Sequence, residues 1–423
     1  MRAISLVLLW GLLASFLNAG RLSPLSSEPD WKKLHEYHFT ITRERFEKLL
    51  DQVYSVDGGM RAYLRISPES FTLFSDSSKT SPLFSLFFSN DFSSVRPNPH
   101  FSRYPENPLG EKSLQGLRIC LDPGHIGGEF SKLEERFFKI EGDSPVEEAK
   151  LNLMTCRIIE SQLKAYGAEV VWTKEDEVPV TPIRPADLRQ EALQWIFDLG
   201  SFQYLPVETE IVKRANMLFY RTAEIRARAD RIQKLKPDLT VCLHYNAGDW
   251  GANPLVPKLV EKSRLVLFIT GGFMANELKY DDQKFDLISQ LLEQNYELEL
   301  GLSAKISKRM KETFQMDPEQ YKNWGAVVPI KEEPYVYARN LAANRWFVGP
   351  TVFVEGPYMN AKDAYDRIIA GDYEGQKEIQ GKMTSSIHHD FALSVVQGIV
   401  DYYRQTQKPN QETRKFLPTV WNP

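Results

Sequence analysis

The spacing of apolar residues divides the chain into two regions near residue 90. Before it, residues 43–53 have apolar side chains at helical spacing, and residues 60–66 and 70–74 have the pattern of short strands. After residue 116, short apolar strands alternate with amphipathic helices. The predicted strands cover 117–121, 169–173, 239–243, 265–270 and 351–355, and the predicted helices cover 147–166, 208–234, 284–294, 304–314 and 392–403.

Strands that alternate with helices indicate an α/β fold, with a mixed, largely parallel sheet and helices on both of its faces. We therefore expect a small α+β module at 20–90 and a larger α/β domain at 116–405, followed by a tail at 406–423. The segment 91–115 between them is rich in proline, serine and asparagine, which is typical of a linker or an irregular loop.

The first 19 residues have the layout of a secretory signal peptide. Arg2 stands near the start, an apolar run follows from Ile4 to Phe16, and small residues precede Gly20. The apolar run is too short for a comfortable membrane span. We expect cleavage after Ala19 and export of the mature chain to the periplasm or the medium, with no stable membrane insertion once the signal is removed.

Composition narrows the class of protein only slightly. Of the 423 residues, 42% are hydrophobic and 26% are charged, as in ordinary globular proteins, and the formal net charge is −4. This near-balance of charge gives no general attraction to nucleic acid. The three cysteines cannot form a disulfide scaffold, and we expect Cys120 and Cys242, on neighbouring strands, to be buried free thiols.

Four residues suited to chemistry stand at strand or helix ends. His125, His244 and Glu355 follow or end predicted strands, and Glu148 opens the first helix of the larger domain. In parallel sheets, functional residues gather at the carboxyl ends of the strands. Two imidazoles and one carboxylate with an open fourth position form a catalytic zinc site, and a second carboxylate outside it can move protons. Taken singly, each residue has an ordinary structural explanation, such as a favourable position on the helix dipole for Glu148.

Other histidines lack the spacing of a metal site. His35 and His38 do not form an H-E-x-x-H motif. His388 and His389 fall in an amphipathic C-terminal stretch and are predicted to lie at the surface.

Four motifs of the larger domain resemble those of a known family. They are LDPGHIGG (121–128), EAKLNL (148–153), TVCLHYNA (240–247), which follows a helix containing Arg226, and PTVFVEGPYMN (350–360). They occur in the order found in the zinc-dependent N-acetylmuramoyl-L-alanine amidases with the amidase_3 type of catalytic domain. The resemblance implies that His125, Glu148 and His244 bind one Zn²⁺ ion per chain and that Glu355 is catalytic. It also implies hydrolysis of the amide bond between N-acetylmuramic acid and L-alanine in peptidoglycan, with which an export signal agrees.

The chain departs from the family pattern at several places. Cys242-Leu243 replaces Ser-Ile before the second histidine, and Pro357 stands where the family has phenylalanine after the glutamate and glycine of the last motif. The segments 174–222 and 249–350 are longer than the family leads us to expect, and we interpret them as insertions that border the active cleft.

Two other functions stay open at this point. One is a zinc amide hydrolase that acts on another extracytoplasmic glycopeptide, and the other is a non-catalytic amidase-like protein that binds the cell wall. A protein that only binds would need one of the four site residues to be displaced in space. The 20–90 module, in turn, is either a wall-binding domain or a structural cap on the larger domain.

Overall fold

One sheet of eight strands lies at the centre of the computed structural model. The structure describes residues 20–100, 103–105, 107–198, 207–249, 257–321 and 325–406. The predicted signal peptide at 1–19 and all but the first residue of the predicted tail at 406–423 therefore lie outside the described residues. Among the helices of these ranges, none combines the length and the apolar character needed to cross a bilayer.

Short strands and α-helices alternate along most of the described chain. The strands are β1 (Leu64–Ile66), β2 (Ser70–Phe74), β3 (Pro82–Phe87), β4 (Arg118–Pro123), β5 (Phe137–Phe138), β6 (Val146–Glu147), β7 (Glu169–Trp172), β8 (Leu239–Asn246), β9 (Arg264–Thr270), β10 (Asp317–Pro318), β11 (Val327–Pro329), β12 (Val336–Arg339), β13 (Thr351–Tyr358), β14 (Lys377–Ile379) and β15 (Lys382–Thr384). The α-helices are α1 (Arg43–Leu49), α2 (Glu148–Ala165), α3 (Arg189–Asp198), α4 (Glu208–Met217), α5 (Glu224–Leu235), α6 (Asp281–Glu293), α7 (Tyr296–Phe314), α8 (Ala342–Trp346), α9 (Lys362–Ile369) and α10 (Ile387–Thr406).

The central sheet is mixed and largely parallel, as the sequence predicts. Its strand order is β11-β12-β9-β13-β8-β4-β7, and β10 pairs with β9 outside this path. The strands β7, β4, β8 and β13 are parallel to one another, and β9 runs antiparallel to β13. Nearly all residues of β4, β8 and β13 are buried, because helices cover both faces of the sheet.

The two helical layers confirm the predicted α/β architecture. On one face, α2, α7 and α10 bury side chains such as Leu163 and Ile306 against the strands. On the other face, α5 and α8 meet the strands in a second cluster that includes Ile232. Cys120 and Cys242 lie in this second cluster as buried free thiols, as predicted. The two clusters alternate along each strand because successive side chains point to opposite faces.

Several elements differ from the sequence prediction, and the helix predicted over 304–314 begins already at Tyr296. The strand predicted over 60–66 begins only at Leu64, because Gly59–Tyr63 forms a 3₁₀ turn. Strand β3 has no counterpart among the predicted strands. The helix predicted over 208–234 is divided into α4 and α5 by a π turn at Leu218–Ala223. Such a turn inserts one residue into a helix and leaves the apolar pattern on either side intact.

The N-terminal module packs directly on the larger domain. Its core forms where α1 meets the antiparallel sheet β1-β2-β3, and the rings of Phe46 and Phe71 stack there with their centroids 4.6 Å apart. The same cluster of buried side chains includes Leu287 and Leu291 of α6 and Val336 of β12. That the chain consists of two independent units joined at 91–115 stays a prediction. The shared cluster makes it testable, because removal of one part would expose buried side chains of the other.

A fragment that starts at Gly116 tests the division. Removing the module exposes the apolar face of α6 to water, and we expect the fragment to lose at least about 3 kcal/mol of stability, the value for two or more buried leucines. Urea unfolding followed by circular dichroism, against the chain that starts at Gly20, measures the loss. Equal unfolding midpoints would show instead that the two parts fold independently.

Glu299 of α7 is buried where β9 and β13 meet, with 1% of its surface exposed. Its carboxylate accepts hydrogen bonds from Thr270 N at 3.0 Å and from Thr351 N at 2.9 Å. Burial raises the pKa of Glu299 from 4.5 to about 7. The native state therefore binds more protons than the unfolded state between these values, and this residue's contribution to stability falls as the pH rises from about 4.5 to about 7.

The variant Glu299→Gln removes this titration. Relative to the parent, its free energy of unfolding should improve by about 2–3 kcal/mol when the pH rises from about 4 to about 8. Urea unfolding at both pH values measures the difference, and Glu312→Gln, on the exposed side of the same helix, is the matched control. An equal pH effect in both variants would contradict the assignment to Glu299.

Candidate metal centre

The turn after β4 places two histidines side by side. β4 ends at Pro123, and Gly124 N donates a hydrogen bond to Leu243 O of β8 at 2.9 Å. A Cβ atom on residue 124 would lie 2.2 Å from Cε1 of His244, so only glycine fits beside this ring. His125 then adopts a left-handed backbone conformation, with a φ of +62°. Glycine is therefore required at position 124, because the ring of His244 packs directly against it.

His125, Glu148 and His244 come together at this turn, although they are far apart in the sequence. Each offers one ligand atom, and the three atoms lie within 4.8 Å of one another. Glu148 Oε2 is 3.2 Å from His125 Nε2, and Glu148 Oε1 is 2.9 Å from His244 Nδ1. Glu148 is buried, and both histidines are half-buried. The three residues thus form a cluster that could hold a metal ion.

The charges of the cluster suit a bound cation. Burial alone would lower the pKa of His125, but Glu148 and Glu134 raise it to about 9. Burial alone would raise the pKa of Glu148, but the two histidines hold it well below its usual range. An ionised carboxylate between two imidazoles offers one oxygen and two nitrogen donors, a set that zinc and other divalent transition metals bind. The residues present therefore fit such a metal.

Glu134 lies near Nδ1 of His125, the ring nitrogen that does not face Glu148. Its carboxylate accepts hydrogen bonds from Ile126 N at 2.9 Å and from Gly127 N at 3.2 Å, and it lies 3.4 Å from His125 Nδ1. A carboxylate at Nδ1 orients the ring so that Nε2 faces Glu148. Sequence reasoning missed Glu134, because it stands on a loop between two motifs and follows no spacing rule.

Arg228 of α5 binds the same turn to the sheet. Its guanidinium donates to Asp122 Oδ1 at 3.1 Å and to the backbone oxygens of Pro123 and His125 at 3.0 and 2.9 Å. Its Nε donates to Glu224 Oε1 at 2.9 Å. Burial alone would lower the pKa of Arg228, but Asp122 and Glu224 raise it, so the group is fully charged. The turn that carries His125 is therefore part of a buried ionic network.

Asn152 of the second motif bonds to the turn after β4. Asn152 Nδ2 donates a hydrogen bond to Gly124 O at 3.1 Å. Glu148 and Asn152 are four residues apart, so they lie on one side of α2. The E-x-x-x-N spacing thus places one side chain in the cluster and another beneath the turn that carries His125.

Glu355 lies beside the cluster on β13. Its partner in the parallel register is His244 of β8, and both residues line the same cleft. Burial raises the pKa of Glu355, and the positive charge of His244 opposes this shift. Its role as a proton acceptor stays a prediction.

Arg136 adds a positive charge that sequence reasoning missed. Its Nε lies 3.2 Å from both His125 Nε2 and Glu148 Oε2. The side chain is 42% exposed and is one of the residues that line the cleft. Like Glu134, it lies on the loop between the first two motifs, which no spacing rule covers.

A cleft of about 790 Å³ opens above the cluster. Trp195, from the segment 174–222, and Trp346, from the segment 249–350, are among its lining residues. Arg226, in the helix before the third motif, lies over Trp346 with its guanidinium carbon 4.1 Å from the ring centroid. Both segments interpreted as insertions therefore contribute walls to the site.

The prediction that His388 lies at the surface is wrong. Its side chain is buried, and its Nδ1 lies 2.8 Å from Tyr245 Oη and 3.1 Å from Thr155 Oγ1. Burial lowers the pKa of His388 to about 4, so the ring is neutral near pH 7. The amphipathic pattern did not reveal its burial, because it does not show that the hydroxyl groups of Tyr245 and Thr155 contact Nδ1 inside the core.

Comparison with known proteins gives a distant likeness to amidases. No protein-family model matches the chain, and no curated protein matches it. The chain is similar to the N-acetylmuramyl-L-alanine amidase Ami1 from Mycobacterium abscessus, with 15% identity, a TM-score of 0.36 and coverage of 68% of this chain and 99% of that chain. The chain is also similar to the CwlD amidase from Clostridioides difficile, solved in complex with the GerS lipoprotein. Here the identity is 13% and the TM-score is 0.37, and the match covers 68% of this chain and 98% of that chain. A third similar structure is the N-acetylmuramoyl-L-alanine amidase AmiC2 of Nostoc punctiforme. Its identity is 13% and its TM-score is 0.35, and the match covers 68% of this chain and 98% of that chain. At this identity and overlap, the likeness does not define an activity for this chain.

The variant Arg228→Met tests the ionic network beneath the turn. It leaves Asp122 and Glu224 buried without their cation, and we expect a loss of about 3–5 kcal/mol in the free energy of unfolding. Arg226→Met, two residues earlier on the same helix, is the control, because the Arg226 guanidinium donates to Ser27 Oγ and forms no ion pair with a carboxylate among the described residues. Urea unfolding measures both variants, and equal losses would contradict the special role of Arg228.

Proposed function

We propose that the chain is a zinc-dependent amidase that hydrolyses the amide bond between N-acetylmuramic acid and L-alanine in peptidoglycan. The observation that supports it most is that His125, Glu148 and His244 come together, with Glu355 on the strand beside His244. The proposal includes one Zn²⁺ ion per chain, held by the first three residues. It also includes export through a signal peptide cleaved after Ala19 and action at the cell wall.

The chemistry needs a Lewis acid and a proton carrier. Zinc held by His125, Glu148 and His244 would supply the Lewis acid, because it would lower the pKa of water and stabilise negative charge on the amide oxygen. A carboxylate oxygen of Glu355 takes a proton from the attacking water and gives it to the nitrogen of the leaving L-alanine. The C–N bond breaks, and the lactyl carbonyl carbon keeps the oxygen of the water. The raised pKa of Glu355 favours this role, because the carboxyl group holds the proton between the two steps.

The cleft suits a charged peptide attached to a sugar. Its volume of about 790 Å³ is within the range of sites for organic ligands. Arg136, Arg221 and Arg339 are among the lining residues, and guanidinium groups pair well with the carboxylates of a peptide. Aromatic rings of Trp195, Tyr220 and Trp346 provide apolar surface on the same walls.

Digestion of purified peptidoglycan with the zinc-loaded protein tests the proposal. Mass spectrometry of the products should find new L-alanine amino ends and intact lactyl carboxyl ends. Other new ends, or cleavage of a different acylated glycopeptide only, would assign another amide hydrolase activity. Sedimentation with peptidoglycan without any cleavage would assign a wall-binding protein.

Two substitutions separate metal binding from proton transfer. Glu355→Gln should keep the metal and lose turnover by about 10²–10⁴-fold, because the amide cannot accept the proton. His244→Ala should lose the metal, because it removes one of three donors. Metal analysis and turnover on the same samples check both, with His389→Ala, on α10, as the histidine control. Near-normal cleavage by Glu355→Gln would place the general base elsewhere, and full metal occupancy in His244→Ala would contradict the ligand set.

A further inference from the structure

Arg136 is held beside Glu148 by a short antiparallel ladder. In the strand pair β5-β6, Phe137 stands opposite Glu147. One step farther along the chain, Glu148 N donates a hydrogen bond to Arg136 O at 3.2 Å, and Arg136 N donates to Ser131 O at 2.8 Å. The backbone of Arg136 is therefore fixed next to the first residue of α2, and any movement of this residue is a movement of its side chain.

The guanidinium of Arg136 contacts two members of the metal cluster at once. Its Nε lies 3.2 Å from His125 Nε2 and 3.2 Å from Glu148 Oε2, and these two atoms are themselves 3.2 Å apart. A divalent metal binds histidine and carboxylate through the lone pairs of such atoms. An N–H group bonds to the same lone pairs. Arg136 in this position and a metal ion bound by both atoms therefore exclude each other.

Few other contacts hold the guanidinium in place. Within the described ranges, its one further hydrogen bond is donated by Nη1 to Glu135 O at 3.1 Å. The Arg136 side chain is 42% exposed, and an ion pair with an exposed partner is weak. A divalent ion held by three donors is bound far more strongly, and its charge repels a neighbouring cation. Metal binding is therefore expected to release the guanidinium from Glu148.

The released guanidinium belongs to the wall of the cleft. Arg136 lines this cleft together with Glu355. Another arginine of the cleft, Arg345, has its own carboxylate, since its Nε lies 3.2 Å from Asp286 Oδ2. Arg136, in contrast, loses its carboxylate partner when a metal takes Glu148. It is then a cation beside the reacting groups, and a carboxylate of the substrate is the group that pairs best with it.

We propose that Arg136 is an anion-binding residue under the control of the metal. A divalent ion that binds His125 and Glu148 displaces the guanidinium, which then binds a carboxylate on the peptide part of the substrate. The exchange of cations rests on the contacts of Arg136 alone. The choice of a peptide carboxylate as the anion rests on the proposed function.

Zinc titration against a competing chromogenic chelator tests the exchange. Arg136→Gln should bind Zn²⁺ about fivefold more tightly than the parent, because the ion no longer displaces a paired cation. Arg221→Gln is the matched control. It removes another arginine of the cleft, whose Nε bonds to Tyr220 Oη instead, and it should change the affinity by less than about twofold. An equal gain in both variants, or no gain in Arg136→Gln, would overturn the exchange.

Chemical modification of the unsubstituted protein gives a second measurement that does not depend on the folding of a variant. Phenylglyoxal reacts with accessible guanidinium groups, and mass spectrometry of the peptides reports the rate at each arginine. Arg136 should react about two- to fivefold faster in the zinc-loaded protein than in the metal-free protein, the range for release from an exposed ion pair. Arg221 should react at the same rate in both. A rate at Arg136 that is unchanged or lower with zinc would contradict the release.

Binding of one N-acetylmuramoyl peptide in two forms tests the choice of anion. The zinc-loaded variant Glu355→Gln is used so that the peptide is not hydrolysed. The free acid should bind about tenfold more tightly than the form with methylated carboxylates, and this preference should largely disappear when Arg136→Gln is added.

The outcomes separate this proposal from the proposed function. An unchanged preference for the free acid after Arg136→Gln would overturn the carboxylate-binding role and leave the amidase assignment intact. Failure of both forms to bind would contradict that role and the amidase assignment together. The zinc titration and the modification rates would still decide the exchange of cations, because neither measurement involves a substrate.

Discussion

The candidate site depends on one buried guanidinium. Arg228 bonds to the side chain of Asp122, to two backbone oxygens of the turn after β4, and to Glu224 on its own helix. A charged group in the interior is tolerated only where nearly all of its donors are satisfied, so few arrangements of the turn are compatible with it. This constraint explains how His125 keeps its left-handed backbone. The ligand geometry therefore begins with an ionic network that does not itself belong to the cluster.

The rest of the site is arranged around this turn by supports of different kinds. Glu134 fixes the ring of His125 by accepting bonds from the following backbone, and Asn152 holds Gly124 from α2. His244 needs no such polar support on its faces, because its ring stacks on Phe353 with the centroids 4.4 Å apart. Side chains held from several directions lose little entropy when a ligand binds, which is the condition for a preorganised metal site.

The sequence predicted the fold well, because the strands β4, β8, β9 and β13 are short apolar runs separated by long amphipathic helices. It also predicted that the cluster residues lie close together, because His125 and His244 stand near the carboxyl ends of adjacent parallel strands and Glu148 opens a helix beside them. The supports could not be predicted, since Glu134 and Arg136 lie on a loop between motifs. The sequence analysis named Arg226 in the helix before the third motif, but the arginine that is buried and bonds to the turn after β4 is Arg228. The apolar periodicity of the helix does not show which of the two arginines is buried. The sequence left the module as either a wall-binding domain or a structural cap, because an apolar helix face does not reveal its partner.

The π turn at Leu218–Ala223 separates two tasks along what would otherwise be one helix. Tyr220, Arg221 and Thr222 in this turn line the cleft, while Arg228 in α5 bonds to the turn that carries His125. One residue corresponds to about 100° of rotation about a helix axis. Loss of a single residue here would turn the whole preceding helix, and with it Ala215, which packs in one buried cluster with Ile126 beside His125. The fold thus couples the wall of the cleft to the turn that carries His125, so a deletion at this point would move both.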